Sequence, residues 1–399
     1  MNKGEMKRLG DYIREVDVRN RDLEVTKLLG VSISKEFMPS IANTIGTDMS
    51  SYKIVEPRQF AYGPVTSRNG DKVSIALYKD DEKAIVSQAY TIFEVKNKQE
   101  LLPEYLMMWF RRPEFDRYAR FKSHGSAREI FSWEEMCDVE LPIPSIEQQQ
   151  KIVSEYEAIT HRIRLNEQII TKLEETAQTL YRKMFVDGID KKNLPEGWRM
   201  GTLEMLCELI IAGTIPVYSD ESQYLVLGQK CNYNGSIDLS KARKHKPKSS
   251  CTSLKFGDIL INSTGKGTLG RVGQIYFQPK DVTFDSNMTM VRAKEDFLIE
   301  YVGSYVSQQE NMFVHISQGS TDQTRLYCSM VRPLKIIIPD NDTLKTYSKS
   351  CRPIKCFIEQ KRQENKKLQE LRSLLLAKMG QGNMVETQNF ASLQRGDQQ

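Results

Sequence analysis

The stretch Gly265-Lys266-Gly267-Thr268-Leu269-Gly270 has the GxGxxG spacing that can cradle a pyrophosphate, provided a helix N-terminus follows it. Residues 271–277 read as a strand instead, so a dinucleotide site is excluded. Two alternatives stay open: a glycine-rich hairpin turn, or a backbone that approaches a DNA phosphate beside Lys266 and Arg271. Asp81 with Glu94, Val95 and Lys96 supplies the residue types of a nuclease metal site. That pattern is short and the later half of the chain has no counterpart, so surface hairpin charge is the better reading. No two prolines are adjacent, which removes the Pro-Pro loop of amino-methyltransferases. The Gly-Lys pair is followed by Gly, so no P-loop can bind ATP. There is no HExxH, and 4 scattered histidines offer no catalytic set. The chain reads as a binder without chemistry of its own, with no catalytic and no metal-ligating residues.

Composition narrows the class. The 399 residues predict two or three domains. With 39% hydrophobic and 27% charged residues, the chain is neither a disordered acidic polymer nor a membrane protein. No apolar run approaches the roughly 18–20 residues that span a bilayer, and charges interrupt the first ten residues where a signal peptide needs an apolar stretch. A soluble, cytoplasmic protein is expected. The 7 cysteines form no CxxC pair, which argues against a disulfide framework or a zinc site. The net charge of +5 is concentrated at the C-terminal end, where residues 342–399 hold 11 basic and 6 acidic groups. Charge alone therefore does not establish DNA binding.

An internal repeat sets the architecture. A seam alternating steps of four and three runs through Ile152, Tyr156, Ile159, Ile163, Asn166, Ile170, Leu173, Ala177, Leu180 and Met184. Adding 195 gives Tyr347, Cys351, Ile354, Ile358, Lys361, Asn365, Leu368, Arg372, Leu375 and Met379, again mostly apolar. Spacing of 3.5 residues keeps each seam on one side of a helix, so each helix needs a partner. Ser145 with Gln148 fits a capping box, Asp340 or Asp342 can cap the second helix, and Gly188 and Gly380 fit left-handed C-caps. Pro353 is expected to kink or delay the second helix. The polar seam residues Asn166, Lys361, Asn365 and Arg372 are either solvated helix-edge groups or register-fixing pairs between antiparallel helices.

The repeat extends beyond the helices. Leu141-Pro142-Ile143-Pro144 matches Ile336-Ile337-Ile338-Pro339, Ser123-His124-Gly125-Ser126 matches Ser317-Gln318-Gly319-Ser320, and Glu104-Tyr105 matches Glu300-Tyr301. The expected organisation is a globular domain over 1–144, a central long helix over 145–188, a second globular domain over 193–339, a distal long helix over 340–380, and a disordered tail over 381–399. Strands are expected at 73–78, 85–95, 259–262, 272–277 and 289–293, and helices at 103–118 and 299–313. The fold class is α+β: two mixed α/β domains separated by two long antiparallel helices, a coiled coil with pseudo-twofold internal repeat. DNA-reading side chains are sought in loops mixing Arg, Lys, Asn, Gln, Ser and Thr, which suit phosphates and base edges. In the first domain these are Arg68 and Asn69, then Lys122, Ser126 and Arg128. In the second they are Lys230, Asn232, Lys266, Thr268, Arg271, Gln323 and Arg325, with the basic run 241–248 nearby.

Leu141-Pro142-Ile143-Pro144-Ser145-Ile146-Glu147-Gln148-Gln149-Gln150-Lys151-Ile152 and Leu180-Tyr181-Arg182-Lys183-Met184-Phe185 resemble the central helix region of specificity (S) subunits of type I restriction–modification enzymes. Leu194-Pro195-Glu196-Gly197-Trp198 resembles the opening of their second target-recognition domain. Lys255-Phe256-Gly257-Asp258-Ile259-Leu260 with Gly270-Arg271-Val272-Gly273 resembles a stretch of their recognition domains. The likeness covers nearly the whole chain, although residues 59–63 lack the corresponding Gly-Asp. It implies a non-catalytic subunit in which each recognition domain reads one half of a bipartite double-stranded DNA target. It also implies that the helices set the spacer, that two modification (M) subunits dock on them, and that restriction (R) subunits join. The chain itself would need no cofactor; S-adenosylmethionine, ATP and Mg would belong to those partners. A coiled-coil protein adaptor without DNA readout and an autonomous DNA-modifying enzyme are the rival expectations.

Overall fold

The seam positions build two long helices, the central one spanning Ile146–Phe185 and the distal one Asn341–Met379. The computed structural model describes residues 6–40, 46–67, 70, 72–125, 128–319 and 324–380, so Arg68, Asn69, Ser126, Gln323 and the expected tail over 381–399 lie outside the described residues. The chain divides into two units, Met1–Ile163 with Lys367–Gln399, and Arg164–Lys366, and each long helix contributes residues to both.

In the first unit, Met6–Arg8 pairs antiparallel with Glu140–Pro142 and closes the domain onto the helix start. An antiparallel four-stranded sheet follows in the order Ile13–Val16, Thr91–Val95, Phe60–Tyr62, Ile75–Leu77. Helices Pro103–Phe110 and Pro113–Lys122 cover it. Phe60, Phe93, Phe110 and Phe131 share the buried core with Ile152, Tyr156, Ile159 and Ile163 of the central helix and Leu375, Leu376 and Met379 of the distal one, and Leu368 packs against it. Gln149, fully buried, fastens the helix to the domain: its Oε1 accepts from the Leu102 amide at 2.9 Å and its Nε2 donates to the carbonyls of Glu100 and Pro144.

The second unit repeats this plan. Arg199–Thr202 pairs with Lys335–Ile338, and an antiparallel sheet runs in the order Cys207–Ala212, Met288–Ala293, Ile259–Asn262, Val272–Gln274, covered by helices Ile299–Ser307 and Glu310–Ile316. The matched motifs do matched work. Tyr105 donates its hydroxyl to the Pro142 carbonyl, and Tyr301 donates to the Ile337 carbonyl. Gly125 and Gly319 adopt φ of 134° and 138°, a region that disfavours side chains. This unit adds a second four-stranded sheet, Val217–Tyr218, Arg243–Lys246, Leu225–Leu227, Val282–Phe284, in which the last two strands pair in parallel.

The helices are antiparallel within this unit. Ala177, Tyr181 and Phe185 near the end of the central helix share a core with Leu344, Tyr347 and Cys351 near the start of the distal one, while Asn166 meets Asn365 further along. Ile170 and Leu173 are inside the long central helix and Leu180 packs against the same core as Ile354; Ile358 is buried. Asn166 Nδ2 donates to Asn365 Oδ1 at 2.8 Å, and both residues are buried. That favours the register-fixing reading over solvated helix edges for this pair. Asn166→Leu alone should cost about 1–3 kcal/mol by removing the buried amide–amide bond and setting an apolar side chain against the Asn365 carboxamide, whereas the Asn166→Leu/Asn365→Leu double change should be less damaging in urea denaturation. A single variant no less stable than the double would contradict the pairing.

Several local expectations need correction. The expected strand 85–95 is two strands, Ala84–Val86 and Thr91–Val95, because a turn at 87–90 intervenes, with Tyr90 N donating to Ser87 O. The helix expected at 103–118 breaks before Pro113, as the residue preceding proline is driven to extended backbone (Arg112 ψ 137°). The one expected at 299–313 breaks at Gln308-Gln309. Pro353 does not delay the distal helix, which begins at Asn341 and continues through it. Buried Cys351 and Ile358 on either side supply packing that outweighs the one missing hydrogen bond. Gly188 is left-handed, φ 75°, but Gly380 is not; a side chain there would collide with the Arg112 guanidinium, so close approach is its role.

Candidate nucleic-acid interface

In the second unit the GxGxxG segment joins antiparallel strands Ile259–Asn262 and Val272–Gln274, as a hairpin loop with Gly265, Gly267 and Gly270 all at positive φ. Lys266 and Gly267 are exposed at its tip. Thr268 spends its hydroxyl on the carbonyls of Thr264 and Gly265, each at 3.3 Å. Arg271 donates to the Gly267 carbonyl at 2.8 Å and lies 5.8 Å from the Tyr233 ring centre, so it braces the loop and still presents a cation. Behind the loop is a polar floor. Asn262 Nδ2 donates to the Gln229 carbonyl at 3.2 Å, Gln229 Nε2 donates to Thr264, and Thr264 donates to Asn287 Oδ1 at 3.2 Å. Arg325 adjoins this floor, donating to the Ser286 carbonyl at 2.6 Å and sitting 5.9 Å from the Tyr327 ring.

Asn232 is corrected. It is 1% exposed, and its Nδ2 donates to the carbonyls of Leu260 at 3.0 Å and Arg271 at 2.9 Å, with Asn262 Oδ1 at 3.3 Å. An amide committed to three internal acceptors has no donor left for adenine. Its neighbour Lys230 is exposed. The structure thus sets Lys266, Thr268, Arg271 and Arg325 around one floor, with Asn232 beneath it and Lys230 exposed on the turn that follows Gln229.

Two aromatic–cation pairs were not singled out by residue type. Tyr218 has the Arg243 guanidinium 3.5 Å from its ring centre, and Tyr233 has Lys241 at 5.6 Å as well as Arg271. Tyr218, Tyr233 and Tyr327 are about half exposed. The signal available in sequence was the basic run 241–248 itself; in the strand Arg243–Lys246, His245 is buried while Arg243, Lys244 and Lys246 are exposed. His245 Nε2 lies 2.7 Å from Thr283 Oγ1, and burial pushes its pKa below the ordinary imidazole value.

The equivalent loops of the first unit are brought together by Thr66, whose amide and hydroxyl reach the Glu129 carbonyl and whose hydroxyl donates to Ser123 Oγ at 2.9 Å. Lys122 pairs with Glu135 at 3.3 Å; Arg128 is exposed, and Phe121 beside the loop is 81% exposed. Glu94 and Lys96 are tied to Arg14 and to the carbonyls of Gly10 and Asp11, as expected for surface hairpin charge. Among the described residues, no helix is long and apolar enough to cross a membrane.

Comparison with known proteins agrees with the duplication. The family model for the type I restriction modification DNA specificity domain matches twice, at residues 35–175 and 195–371. The specificity subunit of the type I restriction enzyme HindI of Haemophilus influenzae is 25% identical over 182 residues, 44% of this chain. The chain spans 39% of the length of that curated relative in the match. The crystal structure of a type I restriction–modification S subunit from M. genitalium has the same fold, with a TM-score of 0.60 at 12% identity over 96% of each chain. One fold used twice, each copy bearing polar loops at the same place and each meeting the same family model, shows that the chain belongs to the type I restriction modification DNA specificity domain family.

Proposed function

We propose that the chain is the DNA-specificity subunit of a type I restriction–modification complex. Each unit reads one half of a bipartite double-stranded target, the helices set the unspecified gap, and modification subunits dock on them. Restriction subunits join that assembly to cleave DNA. S-adenosylmethionine, ATP and Mg are bound by those partners, and this chain contributes geometry. The observation that carries the reading is the duplication itself: the same scaffold and the same Gly125 and Gly319 turns hold loops of different sequence, as two different half-sites require.

The test is base-resolved. Arg128→Ala and Arg325→Ala, each in complex with modification subunits, should weaken methylation through a different half-site, by about 1–3 kcal/mol where the contact is to a base. An equal loss on every DNA sequence would make that arginine a phosphate contact. No DNA binding by a complex that does hold modification subunits would leave a protein adaptor as the better reading.

A further inference from the structure

Asn232 opens a two-residue hairpin, Asn232–Tyr233 with Ser236–Ile237, whose corner residues Asn234 and Gly235 have φ of 49° and 70°. Asn-Gly is the pair that such a turn prefers, because both corner residues must take positive φ. The hairpin touches two things. On one side Asn232 holds the carbonyls of Leu260, in the strand that enters the 262–271 loop, and of Arg271, where the loop ends. Gly273 makes that approach possible, since a Cβ there would stand 2.6 Å from Asn232 Oδ1 and 2.7 Å from Ile237.

On the other side the hairpin is fastened to the distal helix. Arg362 donates to the Asn234 carbonyl at 3.1 Å while pairing with Glu174 of the central helix at 2.6 Å. Lys366 meets Asp238 Oδ1 at 2.6 Å, and the same carboxylate accepts from the Ser240 amide and hydroxyl. Burial pushes the Asp238 carboxyl up, but Lys366 and Ser240 outweigh it and hold it at about 2. Asp238 is thus charged throughout the physiological range, so the Lys366 pair does not depend on pH there.

We propose that this hairpin is a strut that indexes the 262–271 loop to the long helices, making Asn232, Asp238, Arg362 and Lys366 positioning residues for sequence discrimination by the second unit. The inference rests on the reading of this unit as a DNA reader. A loop hinged only on its own strands can tilt; one braced from the helix keeps Lys266 and Arg271 at a fixed place relative to the element that sets the gap. A small misplacement of such groups loses discrimination before it loses binding, because base contacts need alignment and phosphate contacts are more tolerant.

The full chain in complex with its modification subunits carries the test, read by single-molecule sequencing of adenine methylation. A wrong base pair in a specific site is ordinarily rejected by about 5–150-fold. In Arg362→Ala/Lys366→Ala, rejection of single-base changes in the second half-site should fall about tenfold, with the first half-site unchanged. Lys366→Arg, which keeps a cation on Asp238, should retain the wild-type motif. A double variant with the wild-type motif overturns the strut, as does an even loss of methylation at all sites, or relaxation by Lys366→Arg equal to that by Lys366→Ala. A wild-type complex that methylates no two-block motif overturns the DNA-reading function itself, and the strut with it.

Discussion

Arg292→Met should destabilise the second unit by about 3–5 kcal/mol in urea denaturation, a large share of the roughly 5–15 kcal/mol that holds a domain folded. Arg292 sits on the central strand Met288–Ala293 and meets Asp258 through two parallel bonds, Nε to Oδ1 at 2.8 Å and Nη2 to Oδ2 at 2.7 Å. Asp258 is 1% exposed and heads the neighbouring strand Ile259–Asn262, which leads directly into the 262–271 loop. Removing the guanidinium leaves a carboxylate in the sheet with little beyond the Lys255 amide to solvate it. The cost is chiefly that of the stranded charge, so Arg292→Met/Asp258→Leu should be markedly less damaging than Arg292→Met alone. A single variant within about 1 kcal/mol of wild type would show that the pair is not what holds the loop's base.

Removing one heptad from each long helix at facing positions should shorten the gap in the recognised DNA by about three base pairs, since seven residues rise about 10.5 Å and DNA advances 34–36 Å per turn of about 10–10.5 base pairs. Seven residues are two turns of the seam, so each buried face is kept in line and the domains keep their own packing. A deletion of two or five residues, roughly 200° or 140° of helix rotation, would instead turn the seam away from its partner and should abolish assembly. The effect is all-or-none at the level of sites: those methylated by the wild type should go unmethylated, and a new set with both half-sites intact should replace them. Unchanged spacing would remove the helices from the measuring role.

The repeat was legible because it is written in apolar positions, and apolar periodicity is what packing reads. All ten seam positions of each helix are buried or half-buried, and the motif pairs recur as matched contacts such as those of Tyr105 and Tyr301. Breaks were harder to see. Nothing in residues 85–95 except Ser87 and a few polar neighbours marks the turn, and Pro113 shows where a helix restarts only once the pre-proline restriction is applied to Arg112. Pro353 misleads about where the distal helix starts for the opposite reason, that packing on either side carries the helix through a local breaker. Asn232 was assigned by residue type alone, and an asparagine that reads adenine is indistinguishable in type from one that cross-braces two strands. The adjoining Asn234-Gly235 turn was the available warning, because a tight hairpin places the residues flanking it on a sheet edge and not on a free loop.

The most direct measurement is single-molecule sequencing of adenine methylation in cells carrying this chain with its modification subunits, beside cells lacking it. The expected result is one asymmetric motif of two fixed blocks separated by a gap of constant length and free sequence. A single contiguous motif, or methylation that does not depend on this chain, would contradict the account.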